Sequence, residues 1–417
     1  MKLNCIRQAS VSGASRPFCR YALATSIHFK TGVSNVSFAQ TGTAFTRLCL
    51  AMFTANQQGF HSCSTNQLNS STKPSSECHY ALLKNRMVLR LEGSDAAIFL
   101  QGLVTNHITD SMPENSLKLT AFLNAQGRVL MDAFIYREPK NPESTGPSFL
   151  VECADTVIPL LEKHLQRYKL RKQVKITNIS NSVDVWQIWG SLDRGQLKNS
   201  DGGMWCADPR NADMGMRGIA LKTCQTLLPD QMKKVPFTDY VARRICLGIP
   251  EGPTDFFYEK SLPLESNLEL IQGVDFQKGC YLGQELTIRT YHTGFTRKRI
   301  VPVQLYNEHD PVPKSLSLDT SITMEHPPSQ SDIKLGDLTS EETTLTRSKG
   351  VVGKYCGGLH NIGLALVRLE SVVRPLENQP MLGSSDLSSN EIKPLILANG
   401  MRARAFAPLW WPSIART

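Results

Sequence analysis

The sequence predicts an α+β fold of mainly antiparallel strands with a few helices, followed by a smaller β domain. Three observations carry this. After about Ser76, runs of strand and helix length follow one another as strand, helix, hairpin, strand, helix, strand, without the regular βαβα alternation of a doubly wound nucleotide fold. A four-residue turn, Asn124 to Gly127, sits between two apolar runs in "LTAFLNAQGRVLMDAFIYRE" and predicts a hairpin. From "RKRIVPVQLY" onward the apolar runs have strand length and no helical period.

Taken in order, "RMVLRL" from Arg86 to Leu91 alternates and then turns apolar, as a strand does. Ser94 is the predicted N-cap of a helix through "SDAAIFLQGLVTNHI", with Ala97, Ile98, Leu100, Gln101 and Val104 on one face. "SFLVECA" reads as a strand, and "DTVIPLLEKHLQRYKLRKQV" as a helix capped by Asp155 with basic residues at its end. "DVWQIWG" is a strand whose odd spacing sends Trp186 and Trp189 to opposite faces, one to the core and one free to stack on a ligand ring. "YVARRICLG" reads as a helix ending at Gly248. Later strands are "KGVVGKYCG" and "NIGLALVRLE", and the chain closes on "MRARAFAPLWWP", where Trp410 and Trp411 are expected to lock the last segment down. The stretch 308–348, rich in Pro, Ser, Asp and Glu, is predicted as a disordered insertion, and 374–391 as another loop. The expected organisation is a leader over 1–76, an α+β region over 77–295 and a β domain over 296–417.

Bulk properties narrow the function. No apolar run reaches the length of about 18 residues that spans a bilayer as a helix. The net charge of +9 invites a nucleic-acid reading, but its distribution argues against one. Residues 1–76 contain no Asp or Glu and seven basic residues, which leaves 39 basic against 37 acidic residues elsewhere. That Ser-, Thr- and Ala-rich, acid-free leader has the composition of a mitochondrial or plastid transit peptide, cleaved somewhere between Leu50 and Ser76. Of eleven cysteines, four lie in the leader, and the other seven form no CxxC pair, so no stably bound metal is predicted.

The densest stretch is "FQKGCYLGQEL", Phe276 to Leu286. Gly279 and Gly283 would let the backbone turn tightly and present Cys280 at the surface. Gln284 and Glu285 read as the first turn of a helix running toward Arg289. A cysteine just before such a turn would have its thiolate stabilised by amide N–H groups and by Lys278. It would then be a nucleophile, a redox-sensitive thiol or a transient metal ligand. The bland reading, a buried free cysteine with packing value only, stands beside these. "RTYHTGFTRKR" just beyond mixes basic and aromatic residues, a run that suits RNA, an anionic polyglutamate tail or a solvated linker.

The run "KGCYLGQE" from Lys278 to Glu285 resembles the hallmark of the YgfZ-type folate-binding proteins. "DAAIFLQGLVTN", "FLNAQGRVLMDAFIY", "RYKLRKQV", "YHTGFTRKR", "NIGLALVR" and "APLWWP" are similar to other segments of that family, in the same order, so the likeness covers most of Leu82 to Pro412. The resemblance implies an aminomethyltransferase-like fold around a tetrahydrofolate-sized opening, with a small C-terminal β-barrel. It also implies a factor of the mitochondrial matrix, monomeric, that matures four-iron proteins such as aconitase and lipoyl synthase with A-type iron–sulfur scaffold proteins as partners. In that family the active residue falls on Cys280, with Lys278 as its flanking base and Gly279, Tyr281, Gly283, Gln284 and Glu285 around it. Arg244 to Pro250, "RICLGIP", is similar to an aminomethyltransferase segment whose pterin-contacting glutamate is here Cys246, which lacks a carboxylate's paired acceptors. That argues against aminomethyl transfer, with a folate-dependent one-carbon transferase or a pure interaction module as alternatives. Tetrahydrofolate would then be contacted through Glu265, Asp132 or Arg244.

Overall fold

A computed structural model describes residues 77–191, 197, 199, 202–223, 232–336, 350–373 and 393–412. The predicted leader and the whole of the loop at 374–391 lie outside them. Two five-stranded sheets and a barrel make up the architecture. The first sheet runs β10-β1-β7-β9-β8, from β1 (Cys78–Leu82), β7 (Val183–Gly190), β8 (Gly203–Ala207), β9 (Met216–Leu221) and β10 (Lys233–Lys234). The second runs β3-β4-β5-β2-β6, from β2 (Arg86–Glu92), β3 (Ser116–Leu123), β4 (Val129–Arg137), β5 (Ser148–Ala154) and β6 (Lys175–Asn178).

The predicted hairpin is present: β3 and β4 pair antiparallel from Ser116 opposite Arg137 down to a bulge at Phe122 and Leu123. β4 is buried along its whole length, unlike a strand with one wet face, because both of its faces are covered. One face meets the first sheet through Phe134, Tyr136, Trp189 and Met204. The other meets α1 (Ala96–Gln101) and α2 (Ile158–Lys169) through Met131, Ile135, Phe99 and Leu165. Trp186 and Trp189 do point to opposite faces, but both are core: one packs with Trp205, the other with Tyr240.

Two predicted caps differ. α1 begins after Asp95, not Ser94, and the Asp95 carboxylate accepts from the Gln173 backbone N–H instead of capping its own helix. The helix ends at Gln101, because at Val104 the chain bridges to Phe122 and Thr105 bonds into β3. Asp155 accepts from the adjacent Thr156 N–H in a short 3₁₀ turn that precedes α2.

The third unit is a closed barrel of β11 (Lys298–Tyr306), β14 (Ile362–Arg368), β13 (Val351–Leu359), β12 (Asp332–Leu335), β16 (Leu395–Ile396) and β17 (Arg402–Phe406). β17 returns to β11, pairing Val303 with Ala405, and β15 (Val372–Val373) adds to β17 in parallel. The stretch predicted as a disordered insertion over 308–348 contains β12, which pairs with both β13 and β16. Its single buried Ile333 gives too little periodicity to be seen in sequence. α3 (Phe237–Cys246) packs on β13 and β14 through Ala242, Ile245 and Cys356. Trp411 is buried in the barrel core, while Trp410 donates its indole N–H to the Leu247 carbonyl at the end of α3.

Candidate functional site: an exposed cysteine on a stapled loop

The motif loop, residues 276–283, leads into α4 (Gln284–Thr293) and is fixed from three directions. The Lys278 ammonium donates to the carbonyls of Gln101, Val104 and Asn106, at 2.8, 2.5 and 2.8 Å. Burial draws its pKa down to about 7. The carbonyls act the other way, because only the protonated amine has a donor for each of three acceptors. Its Nζ also lies 4.8 Å from the Tyr281 ring centroid. Leu282 N–H bonds the Gly102 carbonyl, and Asp275 N–H bonds Thr105. The end of α1 is thus sewn to the motif.

The hairpin turn supplies the second side. Gly283 has φ +78°, and a Cβ there would lie 2.2 Å from the Asn124 carbonyl oxygen; one on Gly127, also at φ +78°, would lie 2.8 Å from the Gly283 carbonyl oxygen. Two left-handed glycines let the turn and the motif touch backbone to backbone. On the third side Phe276 stacks on Tyr291 of α4, ring centroids 3.6 Å apart. "QGLVTN", "NAQG" and "KGCYLGQE", far apart in sequence, therefore meet in one place.

Cys280 sits at the tip of this loop and is the one exposed cysteine among the described residues; Cys78, Cys153, Cys206 and Cys356 are buried. The backbone N–H groups that follow Cys280 have partners of their own. The N–H groups of Tyr281, Leu282 and Gln284 bond Gln284 Oε1, the Gly102 carbonyl and the Tyr281 carbonyl. Lys278 donates to its three carbonyls, so the geometry makes it a positioning residue for the loop. Gly279 has open space around it, and Glu285 is exposed in the first turn of α4.

The predicted ligand residues do not converge with Cys280. Arg244 is buried and salt-bridged to Asp255 at 2.6 Å, which ties α3 to the loop behind it. Cys246, at the position of the resembling glutamate, packs beside Ala242 and Phe257, and burial pushes its thiol up to about 11. Glu265 lies half-buried in a cleft against the barrel. Asp132 belongs to a different feature, a buried ionic cluster between the two sheets that sequence reasoning missed.

In that cluster the Glu152 Oε1 atom accepts from Arg86 Nε and Arg217 Nη2, both at 2.6 Å, and its Oε2 accepts from the Tyr136 hydroxyl at 2.8 Å. Glu251 Oε2 accepts from Arg210 Nη1 at 2.7 Å and the Tyr240 hydroxyl at 2.5 Å. Arg217 and Arg210 lie 4.2 and 4.9 Å from the Phe134 ring centroid. Against the raising effect of burial, Arg217 and Arg86 hold the Glu152 carboxyl below its ordinary range, and four arginines hold Glu251 well below. Burial wins at Asp132, whose pKa is raised with only partial relief from Arg86. Arg86 Nη1 has no hydrogen-bond partner; Asp132 Oδ2 is 3.7 Å and Glu251 Oε1 4.0 Å from it. A signal for this cluster was available: a single polar residue on an otherwise apolar strand, as in "VLMDAFIY", "SFLVECA" and "MRGIAL".

Two α+β sheet layers joined to a closed barrel define the aminomethyltransferase class of fold. The structure is similar to glycine cleavage system aminomethyltransferase T from Bartonella henselae, with a TM-score of 0.55 over 81% of this chain and 87% of that one; at 10% identity the likeness is one of fold alone. Residues 297–413 match the family described as the CAF17 C-terminal beta-barrel domain. Among curated relatives, the protein named iron-sulfur cluster assembly factor IBA57 homolog, mitochondrial, from Mycosarcoma maydis is 36% identical over 354 residues, covering 82% of this chain and 86% of its own. The protein of the same name from Aspergillus fumigatus is 38% identical over 336 residues, covering 73% of each. The chain belongs to this family of mitochondrial IBA57-type iron–sulfur cluster assembly factors, and its location is mitochondrial. Among the described residues, no helix is long and apolar enough to cross a membrane, and no group of three or more metal-ligating side chains occurs.

Proposed function

We propose that this chain works in the mitochondrial matrix as an assembly factor for iron–sulfur proteins, four-iron enzymes such as aconitase and lipoyl synthase among them. In this reading Cys280 is the group it presents to A-type scaffold proteins and clients. The observation that carries it is the placement of Cys280: an exposed thiol on a loop that Lys278, Leu282 and Gly283 fix rigidly, with the other described cysteines buried or half-buried. A thiolate presented this way supplies one soft ligand or nucleophile, and a partner molecule must complete any cluster coordination. The cluster is cargo.

For tetrahydrofolate the reading rests on the buried cluster. Arg86 Nη1, without a hydrogen-bond partner, lies in ion-pair range of Asp132 Oδ2 and Glu251 Oε1 at 3.7 and 4.0 Å, a donor and two acceptors of the kind a pterin ring matches, with all three side chains almost fully buried. When bound, tetrahydrofolate supplies a carrier for one-carbon units; Arg86, Asp132 and Glu251 would hold and orient it. Cys246, sunk in an apolar cluster, does not favour the one-carbon transferase reading.

The test is complementation of a null strain with Cys280→Ser. Aconitase activity and protein lipoylation are expected to fall to near the null level while the purified variant keeps its thermal midpoint. Full rescue by the serine variant would remove the role given to the thiol.

A further inference from the structure

A cleft of about 290 Å³ lies where α4 meets the first strand of the barrel, at the small end of ligand-sized pockets. Leu262, Pro263 and Leu286 give it an apolar lining, and Arg297, Lys298 and Arg368 give it three cations. Among the described residues, the carboxylate within ion-pair distance of these three is Glu370, 3.6 Å from Arg368 between solvent-exposed side chains. Phe295, 91% exposed, also lines the opening. Glu265 is the single carboxylate in the lining, so the cleft is cationic on balance.

Three cations beside an apolar floor, with the Phe295 ring exposed at the rim, are the surroundings of an anionic, partly apolar guest.

We propose that this cleft binds an acidic segment of a partner polypeptide, with an apolar side chain against Leu262, Pro263 and Leu286 and carboxylates held by Arg297, Lys298 and Arg368. A peptide is favoured over a nucleic acid because Leu262, Pro263 and Leu286 set an apolar floor beside the cations, which an apolar side chain matches and a phosphate backbone does not. The site goes beyond the assembly reading and asks nothing of Cys280.

The experiment uses the full chain and a fluorescein-labelled peptide, Glu-Leu-Asp-Leu-Glu, followed by fluorescence anisotropy, with Lys-Leu-Lys-Leu-Lys and single-stranded RNA as competitors. Saturable binding of the acidic peptide is expected. Arg297→Glu or Arg368→Glu should weaken it about tenfold, equivalent to about 1.4 kcal/mol. Arg289→Glu, on the exposed side of α4 outside the lining, and Cys280→Ser should leave it unchanged. Absence of saturable binding, equal loss from Arg289→Glu, or displacement by RNA or the lysine peptide would overturn the proposal.

Discussion

The Lys278 ammonium has three protons and meets three carbonyls, so its removal strands all three acceptors at once. Hydrogen bonds to charged groups contribute about 1.5–3 kcal/mol each, part of which water can replace at this half-buried site. Lys278→Met is therefore expected to lower unfolding free energy by roughly 2–3 kcal/mol in urea titrations. It should also free the motif loop, seen as faster amide exchange at 276–283. Cys280→Ser, at an exposed position, should move stability by less than about 0.5 kcal/mol. Equal destabilisation by the two would mean that Cys280 is a structural residue. The prominence of Cys280 was legible in sequence because glycines and a helix start surround it. The partners of Lys278 were not, since they lie 172 to 177 positions away and are backbone atoms that no side-chain pattern announces.

At the level of elements, the hairpin and the motif loop form one joint whose tolerance is set by two glycines. Gly283→Ala would drive a methyl into the Asn124 carbonyl from a left-handed backbone that alanine disfavours. The expected cost is about 2 kcal/mol or more, together with displacement of the loop, read as a lower thermal midpoint and new protease cleavage between Phe276 and Gly283. A Gly283→Ala protein with unchanged midpoint and proteolysis would show that the turn and the loop are not locked together. Most strands were readable from their apolar runs. The end of α1 was not, because its helical period continues through Val104 while tertiary pairing with Phe122 redirects the chain. β12 was hidden by the opposite cause, a strand with little buried surface inside a polar stretch.

Across the whole molecule, the buried ionic cluster joins the two sheets, α3 and the loop after it, and its carboxylates respond to acid in opposite senses. Glu152 and Glu251, with depressed pKa values, contribute stability that is present above the ordinary carboxylate range and lost as pH falls through their lowered values. Asp132 and Asp255, with raised values, contribute stability present below that range and lost as pH rises through their raised values. Glu251→Gln should thus cost about 3–5 kcal/mol at neutral pH and shrink the acid-side loss of stability, because it removes the counter-charge that Arg210, Arg217 and Arg86 share in the buried cluster. Asp132→Asn keeps an acceptor for the Gly252 N–H and should cost much less. Urea midpoints from neutral to acid pH compare the two, and an equal penalty would contradict this assignment. The barrel carries a further consequence. With β17 returning to β11, each of its six strands has a hydrogen-bonded neighbour on both sides. Among the described residues this leaves a visiting chain no long open row of backbone donors and acceptors, which disfavours strand addition as a mode of recognition. Selectivity toward other proteins at this end of the molecule must then be written in side chains.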